Sequence, residues 1–378
     1  MKRVAIIHPW YPQYRQPFFD RLVEICRESD IELSIFHGDP PPEWRERGDA
    51  VEDRFAVRLP TRFVRFRGRS LGLKALAAFH RKGPFDLVVL EQAIRNVESY
   101  RLLVSPRYHR KLAFWGHGRT YTENRSGLEE NLKYWLTSRG RWFFAYTSGG
   151  SRAVSSRGFP EAKITTVNNS IDTNALRLAI SKITCNEVNA FSAQFSLAGK
   201  TALYIGGLDP SKRIDFLLEA GRRAHHEDPD FRLLIAGDGT LRKQVESFAA
   251  TEGWCHALGS LFGSQKALAM RAAQALAIPG RVGLVAVDSF ASGLPIVTTD
   301  WPFHAPEFDY LEHASTALVT INSVDDYSRG LLDILSDSDL RGAMSVECMA
   351  KADSYSIDAM ARRFHDGLRG ALGVCVNG

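Results

Sequence analysis

Two glycine-bearing turns carry the residue types that could do chemistry. The first lies in Pro279–Asp300, PGRVGLVAVDSFASGLPIVTTD. An apolar run ending at Ile278 is stopped by Pro279-Gly280, and Gly283 opens a helical run over Leu284–Ala291. Ser292-Gly293 ends that helix, and Leu294–Thr299 restarts as a β-branched strand. Such a turn suits an anion: first-turn amides lack intrahelical acceptors, and the helix dipole favours negative charge there. Asp288, about one turn later, is placed to accept from a ribose. An ordinary buried strand–turn–helix unit is the plainer alternative.

The second turn follows the strand Ala202–Ile205 and reads Gly206-Gly207-Leu208-Asp209-Pro210-Ser211-Lys212-Arg213. Two glycines let backbone come close to a ligand, and the Lys212-Arg213 pair could neutralise a departing diphosphate. The run is neither a GxGxxG fingerprint nor a P-loop. A third turn, Gly237-Asp238-Gly239, ends the strand Phe231–Ala236, and there Asp238 is expected to cap the next helix.

The elements that must position these turns alternate along the chain. Apolar strands are expected at Val4–His8, Ile31–Phe36, Phe85–Leu90, Lys111–Trp115, Trp142–Tyr146 and Ile164–Val167, with helices between them. The pattern restarts after Lys182–Gly199, a stretch of weak periodicity that reads as a linker, and runs through a strand near Ala317–Ile321. Alternation of this kind predicts an α/β chain of two doubly wound domains, residues 1–180 and 181–356, facing a central cleft. A terminal helix near 357–372 is expected to pack back on the first domain.

Composition bounds the rest. The chain has 378 residues, 44% apolar and 24% charged, which fits a folded two-domain protein. No stretch has the length of a signal-peptide core or a membrane span, and five scattered cysteines without CxxC spacing read as free thiols. A cytoplasmic protein is expected. The net charge of +5 is mild, yet Thr61–Lys82 holds seven basic residues (Arg62, Arg65, Arg67, Arg69, Lys74, Arg81, Lys82) and no acidic one. A solvated surface is the bland reading. The sharper one, since Phe63 and Phe66 interleave with the arginines, is a patch for an anionic membrane face or a pyrophosphate-linked acceptor. Nucleic acid is not expected as a partner.

Taken together, GGLDPSKRIDFLLEA, LLIAGDGTLRKQVESFA and the Pro279–Asp300 segment resemble, in order and spacing, the second domain of the family 4 glycosyltransferases. YPQYRQPFF, FWGHG and VNNSID look like counterparts of first-domain segments. The resemblance implies a retaining enzyme of GT-B architecture, with two Rossmann-like domains, a first that binds acceptor and a second that binds a UDP- or GDP-sugar. It implies that the acceptor is a glycan or lipid-linked, as in cell-surface polysaccharide synthesis. It implies donor contacts from Gly206, Gly207, Lys212, Gly237, Gly283, Leu284 and Asp288, and catalytic roles for Lys212, Arg213 and His117. Arg15 and His117 would face the acceptor, and no metal or other cofactor would be needed. The chain departs from the family pattern twice: Gly280 stands where the first glutamate of the E-x7-E pair falls, and Gly207 where an arginine is usual. A GT-B scaffold that binds without transferring, and a nucleotide-sugar epimerase, are the alternatives.

Overall fold

The computed structural model describes residues 1–40, 56–66, 69–121, 127–197 and 199–374. They form two compact units, one of Met1–Ile171 with Ile357–Gly378, the other of Asp172–Ser356. The division falls earlier than the sequence pattern placed it, because the helix Thr173–Lys182 belongs to the second unit, where it packs on the helices Gly263–Ala272 and Val285–Ser292.

Among the described residues of the first unit, seven parallel strands lie in the order Ala56–Arg58, Ile31–His37, Lys2–His8, Leu87–Glu91, Leu112–Gly116, Trp142–Ala145, Ile164–Thr166. Runs such as Val88-Val89-Leu90 are apolar on both faces, as strands covered by helices on each side must be. The helix Gln16–Arg27, with Pro17 in its first turn, buries Phe18, Phe19 and Leu22 on one face. The terminal helix Ile357–Leu372 buries Ile357, Met360, Ala361, Phe364 and Leu368 at helical spacing and packs against it. Phe364 stacks on Phe144 at 4.2 Å and meets Trp115 edge-on at 5.0 Å. Arg21 and Asp358 add an ion pair across the two helices at 2.5 Å.

The second unit repeats the plan with six parallel strands among its described residues: Cys255–Gly259, Phe231–Ala236, Lys200–Ile205, Ala275–Ala277, Ile296–Thr299, Ala317–Thr320. In each sheet the strand order reverses beside the first strand of the unit. Such a switch point opens a crevice at the strands' carboxyl ends.

Two expectations are corrected. The stretch read as a linker contains the helix Cys185–Gln194, started by a Thr184/Glu187 capping box. It buries no residue, so no apolar period marked it. The basic stretch is an antiparallel ribbon, Thr61–Phe66 with Arg69–Lys74, followed by the helix Ala77–Lys82. Within it Lys74 is buried and paired with buried Glu98 at 2.6 Å, so it is no surface charge. Arg62, Arg65, Arg81 and Lys82 are exposed, while Arg67 and the connecting residues 41–55 and 122–126 lie outside the described residues.

Phe364→Ala removes the ring that joins the terminal helix to Phe144, Trp115 and Phe18. We expect a loss of roughly 3–5 kcal/mol in urea unfolding. A loss under about 1 kcal/mol, the range of a surface substitution, would contradict this packing role.

Candidate active site

The second unit's switch point is built from the two turns singled out by their residue types. After the strand Lys200–Ile205 the chain enters a short 3-10 turn, Pro210–Lys212, started by Asp209, whose carboxylate accepts from the Ser211 amide at 2.9 Å. Arg213 then adopts a left-handed conformation, φ 57°, and leads into the helix Ile214–Glu227. A non-glycine residue held there marks a backbone fixed by its surroundings.

The surroundings are the loop Pro279–Leu284. Arg281 N donates to Ser211 O at 3.0 Å, and Lys212 Nζ donates to Arg281 O at 2.7 Å. Gly280 lies so close that a Cβ there would stand 2.5 Å from both C and O of Lys212 and 2.8 Å from Ser211 O. No side chain fits at 280. Arg213 holds the same loop from the other side: one guanidinium nitrogen donates to Asn322 Oδ1 at 2.6 Å and to Pro279 O and Thr299 Oγ1 at 3.3 Å each. Its guanidinium lies 4.0 Å from the Phe216 ring centroid. Arg213 is thus a brace of the loop.

The loop ends at the helix Val285–Ser292. The amides of Gly283 and Leu284 find no backbone acceptor in the described chain, while Ala286 and Val287 already donate back to Gly283 and Leu284. Free donors at a helix start, with Lys212 Nζ bonded two residues earlier to Arg281 O, are the kind of groups an anion would need. Burial holds the Lys212 pKa below the ordinary lysine value, with Arg281 pushing the same way and Asp209 and Glu307 opposing. An anionic ligand would favour the charged form.

Asp288 is buried on this helix, and its Oδ1 accepts from Lys266 Nζ at 2.7 Å. At the neighbouring turn Gly237 packs against Gly206, where a Cβ would collide with the Gly206 carbonyl. Asp238 does not cap the following helix as expected. That helix begins at Arg242 with no side-chain cap, and Asp238 instead accepts from the Gly239 amide at 2.7 Å. Gly207 is exposed, and a Cβ there meets only Asp209 Oδ2 at 3.2 Å, so an arginine would fit.

The remaining two candidates sit in the first unit. His117 is exposed, its ring 4.5 Å from that of Tyr146. Arg15 is 2% exposed, its guanidinium over Tyr14, Trp115 and Tyr146 at 5.0, 5.0 and 5.2 Å. Tyr146 therefore joins the two.

Sequence reasoning missed Lys266 and His304. His304 is buried, accepts from the Val282 amide through Nδ1 at 3.1 Å, and donates from Nε2 to Thr299 O at 2.9 Å. It ties the loop to the end of the neighbouring strand. Burial pushes its pKa down to about 4, and the charges of Lys212, Arg213 and Arg281 act in the same direction. No spacing rule signals a histidine of this kind. Its partners are backbone atoms.

Residues 199–337 match the family Glycosyl transferases group 1. The matched segment contains both turns. A phosphatidyl-myo-inositol mannosyltransferase of Mycolicibacterium smegmatis is 27% identical over 181 residues, 46% of this chain and 46% of that protein. An uncharacterized glycosyltransferase of Methanocaldococcus jannaschii is 29% identical over 166 residues, 43% of this chain and 44% of its own. The chain thus spans about half the length of the curated relatives it matches. Among solved structures, Anabaena HepE in complex with UDP superposes with a TM-score of 0.70 at 13% identity, covering 97% of this chain and 99% of that one. Sucrose-phosphate synthase from Thermosynechococcus elongatus does so with a TM-score of 0.71 at 14% identity, covering 99% and 100%. The fold is GT-B, with a parallel-sheet Rossmann-like plan in each unit.

His304 supplies a pH test. Its folded pKa lies below the ordinary value of 6.5, so its contribution is complete above pH 6.5 and is lost as pH falls from there toward 4. Between pH 7 and pH 4 the wild type should lose on the order of 3 kcal/mol more stability than His304→Gln. Equal losses in a urea series would show that His304 does not titrate from this buried, bonded state.

Proposed function

We propose that this protein is a glycosyltransferase that moves a sugar from a UDP- or GDP-sugar, with retention of configuration, to a glycan or lipid-linked acceptor. The observation that carries the reading is the corner formed by Lys212 Nζ, bonded to Arg281 O, and the free amides of Gly283 and Leu284. It lies inside the segment that matches a glycosyltransferase family.

On this reading the donor's diphosphate accepts from the two amides and from Lys212, and Asp288, steadied by Lys266, accepts from the ribose. As the glycosidic bond to the diphosphate breaks, negative charge grows on the departing phosphate, where fixed donors are worth most. The acceptor hydroxyl approaches on the leaving group's own face and gives its proton to a phosphate oxygen. No protein carboxylate is then required as base, and no metal is required to neutralise the charge. Positioning supplies much of the rest. The backbones at Gly206 and Gly207 leave room for the donor, and Gly237, packed on the Gly206 carbonyl, holds the turn beside them. His117 and Arg15 belong to the acceptor side.

The outer face of the ribbon, with Arg62 and Val64 exposed, and the exposed Leu128, Leu132 and Trp135 at helical spacing fit work beside an anionic membrane, as polysaccharide synthesis there would need. Among the described residues no helix is long and apolar enough to cross a membrane. A second reading, a GT-B scaffold that binds nucleotide without transfer, is favoured by one observation: position 280 cannot carry a side chain without moving Lys212.

A panel of UDP-, GDP-, ADP- and dTDP-sugars, scored by thermal shift and by slow donor hydrolysis, separates the two. We expect a UDP- or GDP-sugar to raise Tm and release its nucleotide, and Lys212→Ala to cut release about 100-fold or more. Release unaffected by Lys212→Ala would sink the mechanism. Binding with no release under any acceptor would establish the scaffold.

A further inference from the structure

The first unit's own switch point holds a cavity of about 180 Å³ that none of the roles above uses. It opens at the carboxyl ends of the strands Lys2–His8 and Leu87–Glu91, and the ribbon closes it from the side. Alternation along the ribbon decides what it presents there: Thr61, Phe63, Ser70, Gly72 and Lys74 line the space, while Arg62, Val64 and Leu73 face away.

The charges of the cavity are unevenly matched. Lys74 is neutralised by Glu98 at 2.6 Å, and Asp39 by Arg58 at 2.6 Å. Arg95 sits exposed at the rim. Glu91 is half-buried on the wall at the end of its strand; its backbone carbonyl accepts from Ala93 N at 2.8 Å, while its carboxylate makes no hydrogen bond or ion pair with the described chain. The enclosed charge left over is a carboxylate, with the rings of Trp10 and Phe63 and the amide of Asn96 around it. Aromatic faces suit the C–H faces of a sugar ring, and a carboxylate suits its hydroxyl protons. A phosphate would meet like charge wherever Glu91 is ionised.

We infer that this cavity binds a neutral sugar ring at the accepting end of the acceptor, with Glu91 receiving hydrogen bonds from its hydroxyls. The inference rests on the transferase reading above and narrows it: the acceptor ends in an uncharged glycosyl unit and not in a phosphorylated one. Burial pushes the Glu91 pKa up to about 7, the charge of Glu98 acts in the same direction, and Lys74, Arg15 and Lys133 oppose it. A ligand that donates to the carboxylate favours its charged form, so binding strengthens as pH rises through 7.

The test uses the full-length protein and four probes, methyl glycosides of glucose, mannose and galactose and inorganic phosphate, followed by saturation-transfer NMR and calorimetry. Two variants accompany it. Glu91→Gln removes the acceptor charge. Gly72→Val fills the space, since a Cβ at Gly72 meets only ordinary contacts, Phe63 and Thr61 at 3.6 Å. The expected result is binding of at least one methyl glycoside, about tenfold tighter at pH 8 than at pH 6, and lost in both variants. Glycoside binding that survives both variants would overturn the assignment, as would phosphate binding that Gly72→Val abolishes. The nucleotide-induced Tm shift, read on the same samples, keeps the two readings apart. A shift with UDP or GDP but no glycoside bound would overturn the cavity assignment alone. Neither response would overturn both.

Discussion

The contact between Gly280 and the backbone of Ser211–Lys212 is the constraint on which the second unit's site depends. Only a residue without a side chain lets the loop after Ala275–Ala277 lie against the turn after Lys200–Ile205. That approach brings Arg281 N to Ser211 O and Arg281 O to Lys212 Nζ. Arg213, in its left-handed conformation, and His304, between Val282 and Thr299, brace the same loop from two further directions. Loosening any one contact would let the amides of Gly283 and Leu284 drift from Lys212. A pre-set donor array is valuable because it need not reorganise when charge develops on a ligand.

The same contact gives the departure at Gly280 a physical meaning. A glutamate there would have to displace Lys212, so the glycine and the lysine position are one arrangement and not two independent changes. Gly207 differs, because its surroundings admit a larger residue. On the proposed reading, the diphosphate charge rests here on Lys212 and two backbone amides. Both units place their polar groups at the reversal of strand order, as open parallel sheets generally do. In the first unit that place holds Glu91 and the ribbon, in the second the two braced turns.

Much of this was legible in the chain. Alternation of short apolar runs with helical stretches showed the paired α/β units, because strands covered on both sides need continuous apolar sequence. The glycine turns and Lys212 were legible because a tight turn before a helix limits the residue types it tolerates. What could not be read was whatever depends on partners far apart in sequence. Lys266 meets Asp288 from another helix, and His304 bonds only backbone. The helix Cys185–Gln194 left no trace because it buries nothing. Lys74 looked like one more surface cation until folding placed it against Glu98, and the rings of Tyr14, Trp115 and Tyr146 around Arg15 come from three separate stretches of chain.

The most direct measurement is a crystal structure with whichever nucleoside diphosphate, UDP or GDP, raises Tm more. The diphosphate oxygens should lie about 3 Å from the amides of Gly283 and Leu284 and from Lys212 Nζ, with the loop still seated on Gly280. A nucleotide bound elsewhere, or bound here only after the loop lifts from Lys212, would contradict a donor corner already assembled in the free protein.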